Sequence, residues 1–175
     1  MKILVFGNIA SGKTTVVRRL KEEYSFQDVS IDNYRRKYGD GSSKGEALAR
    51  IEFYHTAGKK GDNLIIECLG VGEVADKLCE LLYESKERII CLILLVKKEV
   101  CLSRLSRRKW DVPFPHLPEK IYSLIENTQL KIEAAEIESK WNKIENITFV
   151  SKINNNRYDL EMIISEMKYI IKEVI

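Results

Sequence analysis

The sequence predicts a three-layer α/β fold in which about five parallel strands are covered by helices on both faces. One observation is the run Ile89 to Val96 (IICLILLV), which has the unbroken hydrophobicity of a strand buried on both faces. Another is that segments with helical spacing follow such runs along the chain. Strands that alternate with helices favour right-handed crossovers, and these connections produce a parallel sheet.

The first half of the chain contains three of the predicted strands. Lys2 to Phe6 (KILVF) is an apolar run that ends at a glycine, which is typical of a central strand. A helix follows from about Lys13 to Tyr24, and Gln27 to Ile31 is a shorter strand. A polar stretch with three glycines then leads to a helix from about Glu46 to Ala57. The turn KKGDN precedes the third strand, Leu64 to Leu69.

The second half repeats the alternation of helix and strand. Apolar residues recur at helical spacing between about 71 and 82, and the strand described above follows them. A helix from about Glu99 to Lys109 then runs into three prolines that end it. A long helix from Glu119 to about Lys140, a short strand from Ile147 to Val150 and an amphipathic helix from about Leu160 complete the chain. We find no repeat and no linker, so a single domain over residues 1–175 is expected.

Composition and charge disfavour several classes of protein. Hydrophobic residues make up 45% and charged residues 31% of the chain, as in ordinary globular domains. The net charge of +3 is too small to indicate nucleic-acid binding. The four cysteines form no C-x-x-C pair and are expected to be reduced core residues. The apolar runs are too short for a signal-peptide core or a membrane span, so we expect a cytoplasmic protein with no membrane partner.

One motif predicts a specific chemistry. Gly7-Asn8-Ile9-Ala10-Ser11-Gly12-Lys13-Thr14 matches the phosphate-loop pattern G-x-x-x-x-G-K-[ST] and lies between the first strand and the first helix. The glycines let backbone N–H groups turn towards phosphates. Lys13, which we expect to face solvent until nucleotide arrives, should reach the β- and γ-phosphates, and the Thr14 hydroxyl should ligate Mg²⁺. These eight residues and Thr15 are therefore predicted to bind ATP and Mg²⁺; the alternative is a glycine-rich turn without nucleotide.

Further candidates follow the second and third strands, because ligands of an open α/β sheet bind beyond the carboxyl ends of its strands. Asp32 is predicted to accept a proton from an attacking hydroxyl, and the alternative is a helix N-cap. Arg35 lies one helical turn further on. Glu67 sits in an otherwise apolar strand, where a charge needs a partner. It is predicted either to approach Mg²⁺ through water or to hold a substrate hydroxyl, with a structural ion pair as the alternative.

A basic run follows the fourth strand. Arg104 and Arg108 are four residues apart and so share one face of a helix that leads into the proline-containing segment. Arginines at this position fit closure over transferred phosphates, where developing charge must be neutralised away from water. The alternative is a solvated helix face.

Taken together, these segments resemble the small P-loop kinases related to adenylate kinase, shikimate kinase, the zeta-toxin kinases and the kinase domain of polynucleotide kinase. The resemblance extends from residue 2 to about 150 and is strongest in the phosphate loop, in IDNYR after the second strand and in EVCLSRLSRR before the prolines. It implies a P-loop NTPase fold like that of the nucleoside monophosphate kinases, with a short lid at about 104–118. It also implies that Asp32 is a base, that Arg35 binds substrate, that Arg104 packs on adenine and that Arg108 contacts phosphates.

The predicted function is transfer of the γ-phosphoryl group of MgATP to a hydroxyl of a small molecule or nucleotide, with Lys13, Asp32 and Arg108 as catalytic residues. The pattern Asp32-x-x-Arg35 favours a hydroxyl acceptor, and a nucleoside monophosphate kinase is the alternative. A regulatory GTPase would need D-x-x-G and N-K-x-D motifs, of which the sequence has only imperfect matches. The expected partners are a nucleotide and a small acceptor, a nucleic-acid end is not favoured, and the chain is expected to be a monomer or dimer.

Overall fold

Five parallel strands form one sheet in the computed structural model. It describes residues 1–107, 109, 111–113, 118–156 and 159–174, with the backbone alone at 118, 119, 148–151 and 174. The strands are β1 (Lys2–Gly7), β2 (Gln27–Ser30), β3 (Leu64–Glu67), β4 (Ile89–Leu95) and β5 (Ile147–Asn154). They lie in the order β2-β3-β1-β4-β5, and every neighbouring pair is parallel. Strand β1 is therefore central, and the loop that follows it leaves the middle of the sheet.

The helices that connect and cover the strands are α1 (Lys13–Glu23), α2 (Ile31–Tyr38), α3 (Ser43–Ala57), α4 (Glu73–Tyr83), α5 (Lys98–Ser106), α6 (Pro118–Glu133), α7 (Glu136–Trp141) and α8 (Leu160–Val174). No helix in the described part of the chain is both long enough and apolar enough to span a membrane.

The core is divided between the two faces of the sheet because alternate side chains of a strand point in opposite directions. Leu4 and Phe6 pack with apolar residues of α3, α4 and α7, and the ring of Phe6 lies 4.7 Å from that of Trp141. Ile3 and Val5 pack with apolar residues of α1 and α8. Two helical layers with a parallel sheet between them confirm the predicted three-layer α/β fold.

The elements differ from the prediction at several points, of which three bear on the core and the site. Beyond Asp32 only a helical turn was anticipated before a polar stretch, and residues 31–38 form the complete helix α2, whose buried side includes Arg35 as well as Ile31. The single long helix predicted up to about residue 140 is two helices, which separate at Ala135 with a left-handed φ of 57°. This break lets α7 place Ile137 and Trp141 fully in the core. Strand β5 continues to Asn154, because β4 offers pairing partners along that length.

Two polar features of the core also matter for the sequence interpretation. Lys2 is fully buried within the first strand, where its ammonium donates to the carbonyl of Lys59 at 2.6 Å and pairs with Glu87 at 3.0 Å. All four cysteines are free thiols, and all but Cys79 are buried. Burial raises the pKa of the Cys68 thiol to about 12. The prediction of core positions is confirmed for Cys68, Cys91 and Cys101, and Cys79 is only partly buried.

Candidate active site

A cleft of about 520 Å³ opens where β1, β2 and β3 end. Its walls come from the phosphate loop and the start of α1, from the segments after β2 and β3, and from side chains of α3, α4, α5 and α6. Most of the candidate residues predicted from the sequence line this cleft, namely Ile9, Ala10, Gly12, Lys13, Thr14, Thr15, Asp32, Arg35, Glu67 and Arg104. The topology thus brings candidates from four separate stretches of the chain to one edge of the sheet.

The phosphate loop has the backbone that its glycines permit. Gly7 and Gly12 have φ of 149° and 98°, and Ala10 is left-handed with φ of 60°. A Cβ at residue 7 would lie 2.8 Å from the carbonyl oxygen of Leu94, so that position also requires glycine for space. The first N–H groups of α1 have no intrahelical acceptor, as at the start of any helix, and they supply partial positive charge towards the cleft. This arrangement suits the phosphates of a nucleotide.

Lys13 is buried rather than solvent-facing, which corrects our expectation for this side chain. It is 7% exposed, and its Nζ donates to the carbonyl oxygens of Gly7 at 3.0 Å and Asn8 at 2.8 Å. An ammonium removed from water needs such acceptors. In this structure the loop therefore holds its own lysine at the edge of the cleft through two carbonyl acceptors.

Thr14 and Glu67 meet across two elements. The Thr14 hydroxyl donates to Glu67 Oε1 at 2.8 Å, which joins the first turn of α1 to the last residue of β3. A hydroxyl and a carboxylate are hard oxygen donors of the kind that Mg²⁺ prefers. The described residues include no group of three or more His, Cys, Asp or Glu side chains that could hold a metal ion. The pair formed by Thr14 and Glu67 nevertheless fits Mg²⁺, because this ion is usually held by one or two protein groups together with phosphates and water.

Asp32 lies in the first turn of α2, beside the cleft. The N-cap position of this helix belongs to Ser30, so the alternative that Asp32 is the N-cap is wrong. The side chain of Asp32 is 34% exposed, and its Oδ1 accepts from Arg35 Nη1 at 3.0 Å. Its carboxylate is thus oriented by a guanidinium and still accessible from the cleft.

Sequence analysis missed a chain of ion pairs behind Asp32. Glu46 of α3 accepts from Arg35 through both oxygens, at 2.8 and 2.7 Å, and also from Arg50 at 2.8 Å. Arg50 in turn donates to Glu73 at the start of α4, at 2.7 Å. Burial acts to raise the pKa of the Glu46 carboxyl, but the bonds from the two arginines outweigh it and lower that pKa. The four-residue spacing of Glu46 and Arg50 was the available signal.

Arg104 of α5 is hydrogen-bonded to the phosphate loop and to the segment that follows β5. Its guanidinium donates to the carbonyl oxygen of Asn155 at 2.8 Å and to those of Ser11 at 3.3 Å and Ala10 at 3.5 Å. The buried Asn155 amide donates to the same Ser11 carbonyl at 2.6 Å. Asn155 follows β5 and was not singled out in the sequence. Arg108, with residues 110 and 114–117 of the predicted lid, lies outside the described residues.

Three residues of the phosphate-loop motif, Gly7, Asn8 and Ser11, do not line the cleft. Asn8 is buried and directs its amide to helix α6, where it donates to the carbonyl oxygen of Ile125 at 2.9 Å and to Gln129 Oε1 at 3.1 Å. Its own Oδ1 accepts from the backbone N–H of Ile9 at 2.8 Å. The motif residues thus divide into those that face the cleft and those that fix the loop to the rest of the protein.

Several solved structures with the same fold are kinases. Shikimate kinase from Acinetobacter baumannii, in complex with shikimate, superposes with a TM-score of 0.66 at 20% identity and covers 98% of this chain and 93% of its own. Shikimate kinase from Bacteroides thetaiotaomicron gives 0.62 at 14% identity, with 98% of each chain covered. Deoxyadenosine kinase from M. mycoides with bound dCTP gives 0.59 at 14% identity and covers 99% of this chain and 100% of its own.

No protein-family model and no curated protein sequence matches the chain. The structural likenesses span nearly its whole length and include several kinases of small molecules. The chain therefore has the fold of the small P-loop kinases, as the sequence motifs predicted.

Proposed function

We propose that the chain is a single-domain kinase that transfers the γ-phosphoryl group of MgATP to a hydroxyl of a small molecule or nucleotide. The observation that carries this proposal is that the phosphate loop and Asp32 line the same cleft. A donor site and a candidate base therefore face a common space large enough for small ligands. The lid at about 104–118, a cytoplasmic location and a monomer or dimer stay predictions.

On the nucleotide side, the proposal assigns ATP phosphates to the N–H groups of the phosphate loop and to Lys13. The Thr14 hydroxyl would hold Mg²⁺ directly, and Glu67 would do so directly or through water. When bound, the ion supplies charge neutralisation for the phosphate oxygens. Arg104 is proposed to pack on adenine from the α5 side, and Arg108 to contact phosphates.

On the acceptor side, Asp32 is proposed as the general base. The acceptor oxygen forms a bond to the γ-phosphorus, the bond between that phosphorus and the oxygen bridging to the β-phosphate breaks, and the hydroxyl proton passes to Asp32. Arg35 orients the Asp32 carboxylate at 3.0 Å and lies in the cleft wall, where it is proposed to contact substrate. Phosphoryl transfer asks little covalent chemistry of a protein, so positioning of this kind is its main contribution.

Asp32→Asn tests the proposal. The amide keeps an oxygen that can accept from Arg35 but cannot take a proton, so turnover should fall by about 10²-fold or more while ATP affinity stays nearly unchanged. The matched control is Asp28→Asn, which removes a carboxylate of the same strand-helix segment that pairs with Lys21 outside the cleft. ADP release and ATP titration would be measured for both. Turnover within tenfold of the parent for Asp32→Asn would remove Asp32 as base and make Glu67 the next candidate.

A further inference from the structure

At the end of the cleft beyond the phosphate loop, negative side chains outnumber positive ones. We define this acceptor end by the four charged residues that α2, α3 and α4 contribute to the wall, which are Asp32, Arg35, Arg50 and Glu73. Glu46 lies directly behind them and contacts both arginines. The group therefore contains two positive and three negative side chains.

Both arginines of the acceptor end are already engaged by carboxylates. Arg35 is 7% exposed and forms a two-point contact with Glu46, which is 8% exposed, in addition to its bond to Asp32. Arg50 lies between Glu46 and Glu73. Guanidinium groups held in this way position carboxylates and do not present a net positive charge.

An anionic acceptor would be disfavoured by this arrangement. To bind a phosphate or carboxylate, Arg35 would have to give up Asp32 or Glu46, and Arg50 would have to give up Glu73 or Glu46. Release from Glu46 would leave a buried carboxylate without a partner, which is costly. An anion placed beside the intact group would instead meet the like charges of Asp32 and Glu73. Hydroxyl and ammonium groups avoid both costs, because they donate hydrogen bonds and carboxylates accept them.

We infer that the phosphoryl acceptor is a hydroxyl compound without negative charge, either neutral or cationic, and not a nucleoside monophosphate or a carboxylate. This proposal rests on the proposed function and narrows its acceptor to one chemical class. Lys13 and Arg104 line the cleft at the proposed nucleotide site, where they would balance the charge of ATP.

A panel of matched acceptors tests the inference. ADP release would be compared for adenosine against AMP, for glucose against glucose 6-phosphate, and for glucosamine as a cationic hydroxyl compound. Wherever a pair gives turnover, kcat/KM should be at least about 10-fold higher for the member without negative charge. Preference for a phosphorylated member would overturn the inference and leave the proposed kinase activity standing.

A binding measurement covers the case in which the panel contains no substrate. With a non-hydrolysable ATP analogue and Mg²⁺ filling the nucleotide site, calorimetric titration with AMP and with inorganic phosphate should give no second saturable event. If the parent binds either anion saturably, and if Asp32→Asn makes that binding tighter, then the anion binds at the acceptor end and the inference is overturned. If the ATP analogue itself does not bind, the proposed function fails, and the acceptor proposal falls with it.

Variants that remove a negative charge from the acceptor end test whether this charge is what disfavours anionic acceptors. Glu46→Gln leaves the two arginines with excess positive charge, so the ratio of anion to neutral binding or turnover should rise, by about 10-fold or more. Glu73→Gln, at a more exposed position, should move the ratio in the same direction by less and tests the inference if Glu46→Gln fails to fold. Glu80→Gln, which removes an exposed carboxylate on the same helix as Glu73, is the matched control. An unchanged ratio in both cleft variants would contradict the inference.

Discussion

The contacts of Lys13 depend on the folded phosphate loop as well as on the motif. The residue's type and position follow from the phosphate-loop pattern, but its contacts to the carbonyl oxygens of Gly7 and Asn8 come from the folded loop. The same ammonium therefore contributes to the loop in this structure, and under the proposed function it would also bind phosphate once nucleotide is present. Substitution should affect both properties, although to different extents.

Lys13→Ala should reduce phosphoryl transfer by about 10²-fold or more, because the charge that meets the transferred phosphoryl group is lost. The two carbonyls lose a charged donor, so the free energy of unfolding should also fall, by about 1–3 kcal/mol, without unfolding the protein. Steady-state ADP release and urea denaturation would measure the two effects. Lys21→Ala on the same helix, at an exposed site, is the control. A Lys13→Ala variant with turnover within tenfold of the parent would rule out the phosphate-loop assignment.

Arg104 should act on nucleotide binding more than on chemistry. It bridges the phosphate loop and the segment after β5, so Arg104→Ala should raise the KM for ATP while leaving kcat nearly intact. Arg104→Lys should not restore the parent value, because one ammonium cannot stack on adenine or span both sets of carbonyls as a planar guanidinium does. Steady-state kinetics over a range of ATP concentrations would decide. Loss of kcat with an unchanged KM would mean that Arg104 belongs to the reacting centre.

At the scale of elements, helices α2, α3 and α4 are joined by the ion pairs centred on Glu46. Neither α2 nor the start of α3 has a strongly apolar composition, so this buried carboxylate supplements the packing of Tyr34 and Phe53 between them. A single titratable group therefore connects the elements that form the acceptor end of the cleft.

This connection predicts a pH dependence of stability. The pKa of Glu46 is lowered in the folded protein, so the unfolded chain binds more protons at acid pH. Its stabilising contribution is fully present above the ordinary carboxyl pKa and is lost as the pH falls through the lower folded value. The free energy of unfolding of the parent should therefore fall between about pH 5 and pH 3, and more steeply than that of Glu46→Gln. Chemical denaturation at several pH values would measure both slopes, and a steeper slope in the variant would refute the prediction.

At the scale of the whole molecule, the order β2-β3-β1-β4-β5 explains why one cleft collects the candidate residues. The phosphate loop follows the central strand, Asp32 and Glu67 follow or end the two strands on one side, and Arg104 and Asn155 follow the two on the other. Asn8 further connects the loop to α6. A nucleotide that binds this loop should therefore stabilise the whole domain.

MgATP should raise the melting temperature. At 100 times its Kd, a ligand stabilises the native state by about 2.7 kcal/mol, which corresponds to about 5–10 °C for a domain of this size. Lys13→Ala should abolish most of the rise, and MgGTP at equal concentration should give a smaller one. Thermal denaturation with each nucleotide would measure the shifts. A larger rise with MgGTP would favour the regulatory GTPase alternative.

The sequence by itself determined the features that depend on neighbouring residues. The phosphate loop, the five strands and the alternation with helices are local patterns of glycine spacing and hydrophobicity, and the structure confirms the fold that they predict. Asp32, Glu67 and Arg104 could be placed at the cleft because parallel strands all end at the same edge of the sheet. The predicted roles of these residues remain predictions.

Only the tertiary structure decided which groups meet. Thr14 and Glu67 are 53 residues apart in the chain, and Asn8 and Ile125 are 117 apart, so no local pattern indicates either contact. The full extent of helix α2 was not predicted, because an ion pair with Glu46 buries Arg35 on the same side of the helix as the apolar Ile31. The charge of the acceptor end depends on such pairing, since an arginine in a sequence indicates an anion site only when no carboxylate has already bound it. That pairing is a property of the folded chain, because folding alone brings the carboxylates of α3 and α4 to the arginines.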